Sequence, residues 1–172
     1  GKIVVGGSAP SGNLSYYRIL RYNSNGTPDT TFDGDGAAET PVGNRSDWGT
    51  SVVVKSNAKI LLAGRSWFKN RMIVSMAQFN PDGSLDSSFD GDGTLLLPSV
   101  GLRGEDVSIA LQPDGKVLFT TDSYSDARGQ FTAGRVNVDG SLDASFGSNG
   151  LIFTPSEPTS YQSTANIALD GN

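Results

Sequence analysis

The stretch Asn80–Gly93, NPDGSLDSSFDGDG, occurs three times along the chain. An earlier copy is Asn23–Gly36, NSNGTPDTTFDGDG, and a later one is Asn137–Gly150, NVDGSLDASFGSNG. Phe32, Phe89 and Phe146 hold the same place in each, at a step of 57 residues from 32 to 89 and from 89 to 146. Self-similarity at a fixed period marks a repeat architecture, in which each unit buries its apolar surface against the next.

The flanks of each copy repeat as well. An apolar A-run opens each unit: Lys2-Ile3-Val4-Val5, Lys59-Ile60-Leu61-Leu62 and Lys116-Val117-Leu118-Phe119. A B-run with strand-like alternation precedes each copy of the stretch, at Ser15–Tyr22, Met72–Phe79 and Gln130–Val136. A C-run leaves it through Gly36, Gly93 or Gly150 and is expected to stop at Pro41, Pro98 or Pro155, because proline cannot donate to a ladder. A D-run completes the unit at Ser51–Val54, Val107–Leu111 and Ala165–Leu169. Four short strands per unit predict an all-β chain of three tandem four-stranded antiparallel blades in a β-propeller-like assembly. The units are 1–57, 58–114 and 115–172. A β-trefoil, also threefold with four strands per unit, is the alternative.

Composition narrows the function classes. The formal net charge is −5 with no run of Lys or Arg, which disfavours nucleic acid and anionic membrane surfaces as partners. No apolar run approaches the ~20 residues that span a bilayer as a helix. The chain has no cysteine and no histidine. Disulfides, thiolate metal sites and the usual general base near neutral pH are therefore absent. No phosphate-cradling loop or recognisable nucleophile motif is present, so an enzyme is not expected.

The run Lys59-Ile60, the triplet Arg21-Tyr22-Asn23, the segments Asp82–Phe89 and Asp139–Phe146, and the turn Gln112–Lys116 together resemble the delta-60 repeat family of bacterial proteins. The resemblance covers the whole chain. It implies propeller-like blades in an exported or surface-associated protein and carries over no catalytic residue. The first copy departs at Asn25 and Pro28, and the third at Gly147 and Asn149.

Two readings of the repeated stretch follow. In the structural one, Asp-Gly and Asn-Gly form turns, Asp29, Asp86 and Asp143 form Asx turns or caps, and Phe32, Phe89 and Phe146 plug the space between units. In the other, Asp33, Asp35, Asp90 and Asp92 are weak candidate calcium ligands, because Ca²⁺ takes six to eight oxygens and the spacing is not that of an EF-hand. The A–B and C–D connections differ between units and are predicted to be loops at one end of the module. They hold Arg45, Trp48, Trp67, Phe68, Arg103, Tyr124 and Tyr161, residue types common at interfaces. A protein or glycan ligand is expected there. A structural spacer or self-assembling unit with no small ligand is the alternative. Three blades are too few for a closed ring, so either a homodimer completes six blades or neighbouring repeats of a longer chain continue the array.

Overall fold

A computed structural model describes residues 1–125, 128–154 and 166–170, and among these every side chain except those of 99, 101–105, 123–125 and 128–130. The chain is all-β. Its strands are β1 (Ile3–Ser11), β2 (Leu14–Tyr22), β3 (Ala37–Thr40), β4 (Asp47–Val54), β5 (Ile60–Phe68), β6 (Arg71–Phe79), β7 (Thr94–Leu111), β8 (Val117–Ser125), β9 (Arg128–Val136) and β10 (Leu151–Phe153).

The A- and B-runs become nine-residue strands. Ile3 pairs with Tyr22 and the ladder runs unbroken to Ser11 opposite Leu14. The second unit does the same from Ile60–Phe79 to Phe68–Arg71. The predicted A–B loops of the first two units therefore shrink to two-residue hairpin turns. Lys69 and Asn70 both have positive φ, 47° and 65°, as a type I′ turn requires.

The D-runs depart from the predicted order. β4 pairs with β5, Val54 opposite Ile60, and the end of β7 pairs with β8, Leu111 opposite Val117. Each D-run thus joins the A-run of the following unit, and the sheets are offset by one strand from units 1–57, 58–114 and 115–172. The cause is the tight turn between them. Lys55 donates its amide to the Lys59 carbonyl at 2.9 Å, and Gln112 does the same to Lys116 at 2.8 Å. A connection this short makes its two strands neighbours.

Three antiparallel sheets result: β1–β2–β3, β4–β5–β6–β7 and β7–β8–β9–β10. β7 belongs to two of them, first as a C-run on β6 and then as a D-run on β8. Pro98 does not end it. The register shifts between Leu97 opposite Val74 and Gly101 opposite Ile73, so the proline falls in a bulge where no ladder donor is needed. Pro41 does follow the end of β3, and Pro155 lies outside the described residues. No ring of strands closes among the described residues.

Two apolar clusters fill the space between sheets. Tyr17, Ile19, Phe32 and Ala38 of the first unit pack with Ile60, Leu62, Ala77 and Phe79 of the second. Leu61, Val74, Met76 and Phe89 of the second pack with Val107, Val117, Phe119 and Val136 beyond. The D-runs lie side by side across the seams, linked through hydroxyls. Thr50 Oγ1 donates to the Val107 carbonyl at 2.7 Å, Ile109 N donates to Ser51 Oγ at 3.2 Å, and Ile167 N donates to Ser108 Oγ at 3.4 Å.

Candidate functional site

The two ends of the sheets differ in chemistry. At the turn end, each repeated stretch closes on itself and on its neighbour. Asp29, Asp86 and Asp143 are buried. Each follows one scheme: one carboxylate oxygen accepts from a hydroxyl two residues on, Thr31, Ser88 or Ser145, and the other accepts from cations. The cations are Lys2 (3.1 Å) and Arg21 (2.7 Å) on Asp29, Lys59 (2.6 Å) on Asp86, and Lys116 (2.8 Å) and Arg135 (2.7 Å) on Asp143. Gln78 takes the place of the arginine in the second unit and donates to Asp86 Oδ2.

Burial alone would raise the Asp29 and Asp86 carboxyls. Their hydrogen bonds outweigh it, from Thr31, Lys2 and Arg21 on the one and Lys59, Ser88 and Gln78 on the other, and hold both well below the usual carboxylate range. Lys116 and Ser145 do the same to Asp143. A carboxylate so fully engaged is a latch, unsuited to proton transfer. Lys2, Lys59 and Lys116 are the partners that sequence reading missed. The signal was present, because lysine precedes its aspartate by 27 residues in the second and third units and in the first alike.

The proposed plugs take unequal positions. Phe32 and Phe89 are fully buried, each in the cluster between its own sheet and the next, while Phe146 is half-buried. The Arg21 guanidinium lies 4.7 Å from the Phe32 ring centroid and Arg135 lies 4.8 Å from that of Phe146. In the second unit, where Gln78 replaces the arginine, the ammonium of Lys55, the residue after the D-run, lies 5.6 Å from Phe89.

The candidate calcium ligands are engaged locally. Asp35 Oδ1 accepts the Ala37 amide at 2.8 Å, and Asp92 Oδ1 accepts the Thr94 amide and hydroxyl at 2.7 and 2.8 Å. The exposed Asp33 and Asp90 have positive φ of 50°, and their backbone amides donate across the seam to the Asp82 and Asp139 carbonyls. Partial desolvation at the seam, helped by the carboxylates of Asp92 and Asp139, pushes Asp90 up although its side chain reaches solvent. Among the described residues no group of three or more acidic or other ligating side chains converges on one point.

The hairpin end is where Trp48, Trp67, Phe68 and Arg45 gather, all in or beside the second sheet. The two tryptophans lie in strands rather than in the predicted loops, because the ladder continues to the turn. Trp48 is opposite Arg65, whose guanidinium is 5.1 Å from the Trp48 ring, and Trp67 is opposite Met72. Residues opposite one another, or two apart, share a face. Trp48, Arg65 and Trp67 therefore form one row. Phe68 ends β5 beside the turn, with the Lys69 ammonium 5.2 Å from its ring. Arg45 is exposed in the preceding bend. That bend is held by buried Asp47, which accepts the amides of Val42 and Gly43 at 3.0 and 2.8 Å. Tyr161 and the side chains of Arg103 and Tyr124 lie outside the described residues.

Residues 1–32, 56–89 and 112–146 match the model of a β-propeller family, a domain of unknown function designated DUF5122. The chain belongs to this DUF5122 β-propeller family. Each matched segment ends at the phenylalanine of the repeated stretch or at its position, Phe32, Phe89 and Phe146. The family pattern thus contains the A-run, the B-run and the latch. The C-runs and the bend before Trp48 fall outside it. Searches among curated proteins and among solved structures found no match.

Proposed function

We propose that the chain is a delta-60-type repeat module of an exported or cell-surface protein. Its three sheets act as blades of a propeller-like array, and it binds a protein or glycan partner through their hairpin end, without catalysis. The observation that carries this reading is the division of labour between the two ends. The repeated loops are consumed by latches and seams, whereas the hairpin end of the second sheet carries a half-buried row of Trp48, Arg65 and Trp67 that the other units do not repeat. The residues one period from Trp67 are Pro10 and Tyr124, and the residue one period after Trp48 is Glu105.

Tryptophan and arginine anchor interfaces because they bring large contact area and directed donors together. The net charge of −5 argues against nucleic acid as the partner. The test is a glycan array and a panel of extracellular matrix proteins probed with the purified chain, followed by Trp48→Ala and Trp67→Ala. Binding lost in both variants, with the melting curve retained, supports the reading. Binding that neither substitution alters refutes it. No binding to any probe favours the structural spacer.

A further inference from the structure

The segment 41–46 carries the chain from β3 of the first sheet to β4 of the second. On the way it engages both backbone groups of Trp67. The Asn44 amide donates to the Trp67 carbonyl at 3.0 Å, and the Trp67 amide donates to the Ser46 carbonyl at 3.1 Å. Asp47 is fully buried and ties the start of the segment to its end through the amides of Val42 and Gly43. The approach is close, because a Cβ on Gly43 would overlap the Trp67 carbonyl oxygen. Trp48 is approached as closely from the facing strand, where a Cβ on Gly64 would overlap its carbonyl oxygen.

The first sheet braces the same place. Ser15 N donates to Ser46 Oγ at 3.1 Å. A chain of buried hydroxyls also crosses the seam to Ser66, the residue before Trp67. Ser66 Oγ donates to Ser75 Oγ at 2.7 Å, and Ser75 Oγ lies 2.7 Å from the Tyr17 hydroxyl, which donates to the Ser75 carbonyl at 3.0 Å. Burial, with a smaller contribution from the Asp47 carboxylate, pushes the Tyr17 hydroxyl above its usual range, so it stays protonated. The other units do not repeat this set. One period on, Gly43 and Asp47 give way to Val100 and Gly104, and Tyr17 to Val74. The segment also falls between the residues that the family model matches, which stop at 32 and resume at 56.

We propose that the segment 41–46 is a strap, with Asp47 as its positioning residue, which fixes Trp48 and Trp67 in one geometry and makes the hairpin-end surface a joint product of the first two sheets. Removing one of the two Asp47 acceptors leaves a buried amide unpaired, and the strap relieves that by lifting off Trp67. A row held in place before a partner arrives loses less freedom on binding. That consequence for binding rests on the function proposed above, whereas the effect on the tryptophans does not.

Trp48 and Trp67 are the chain's two tryptophans, so near-ultraviolet circular dichroism and acrylamide quenching of their fluorescence read the row directly, without a ligand. Asp47→Asn keeps the size and one acceptor but loses the other. It is expected to stay folded, to lose tryptophan dichroism and to be quenched about twofold more readily as the row opens locally. Gly43→Ala pushes the strap off the Trp67 carbonyl with Asp47 intact, and is expected to give the same two changes. Asp29→Asn, a buried carboxylate at the turn end, is expected to lower the melting temperature and leave both tryptophan signals as they were. Folded Asp47→Asn and Gly43→Ala proteins with unaltered tryptophan signals overturn the proposal, and so does an Asp29→Asn protein that alters them equally. If Asp47→Asn does not fold, the tryptophan signals of Gly43→Ala decide. A glycan or matrix protein that binds the strap variants undiminished, while their tryptophan signals change, upholds the strap and refutes binding at the hairpin end.

Discussion

The Asp33 amide donates a 2.7 Å hydrogen bond to the Asp82 carbonyl, and one period later the Asp90 amide donates an equal bond to the Asp139 carbonyl. Each bond crosses a seam between sheets. Gly83 and Gly140, the residues after these carbonyls, have φ of 97° and 93°, and a Cβ on either would lie 2.7 Å from the same amide nitrogen. Gly83→Ala is therefore expected to combine backbone strain with a steric block at the seam and to cost about 3 kcal/mol. Gly91→Ala has a similar φ of 88° but open space around it, and is expected to cost about 1 kcal/mol. Urea unfolding of the two variants side by side measures the difference.

Acid should loosen the latches. The Asp29, Asp86 and Asp143 carboxyls lie below their unfolded values of about 3.9, so the folded state binds fewer protons. The stability they contribute is fully present above that value and is lost as pH falls below about 4. Melting temperature is expected to hold steady from pH 7 to 5 and then drop. The triple variant Asp29→Asn, Asp86→Asn, Asp143→Asn is expected to start lower and to show a flatter acid limb.

The three phenylalanines are not equivalent. Phe89→Ala opens a cavity in the cluster between the second and third sheets and is expected to cost about 3–5 kcal/mol. Phe146→Ala removes a ring that is half-buried and stacked on Arg135, and is expected to cost less than half as much. Equal losses in denaturant titrations would contradict this ranking.

Calcium should leave the fold unchanged. Asp35 and Asp92 each spend Oδ1 on their own turns, and among the described residues no three ligating side chains converge to supply the six to eight oxygens that Ca²⁺ takes. Millimolar Ca²⁺ or EDTA is expected to shift the melting temperature by less than about 1 °C, the response of a protein with no linked site. A stabilisation that saturates with added Ca²⁺, and is lost on Asp92→Asn, would show a site.

The repeat period, the run order and the turn chemistry were legible because each rests on local residues: Gly36, Gly93 and Gly150 at φ near 92°, and the phenylalanines at their fixed step. The partner of each D-run was harder to read. A short apolar run such as Val52-Val53-Val54 fits beside either neighbour, and only the three residues between Lys55 and Lys59 decide it. Trp67 read as a loop residue because the turn Lys69-Asn70 lacks the glycine that usually announces a hairpin. The lysine–aspartate latch escaped notice because its partners are distant in sequence, although their spacing never changes.

The one-strand offset has a genetic consequence. Each seam is written half in one repeat and half in the next, so an exchange between equivalent codons 57 residues apart would lengthen or shorten the array while leaving every remaining junction intact. Copy number can drift by recombination without any new interface having to be invented.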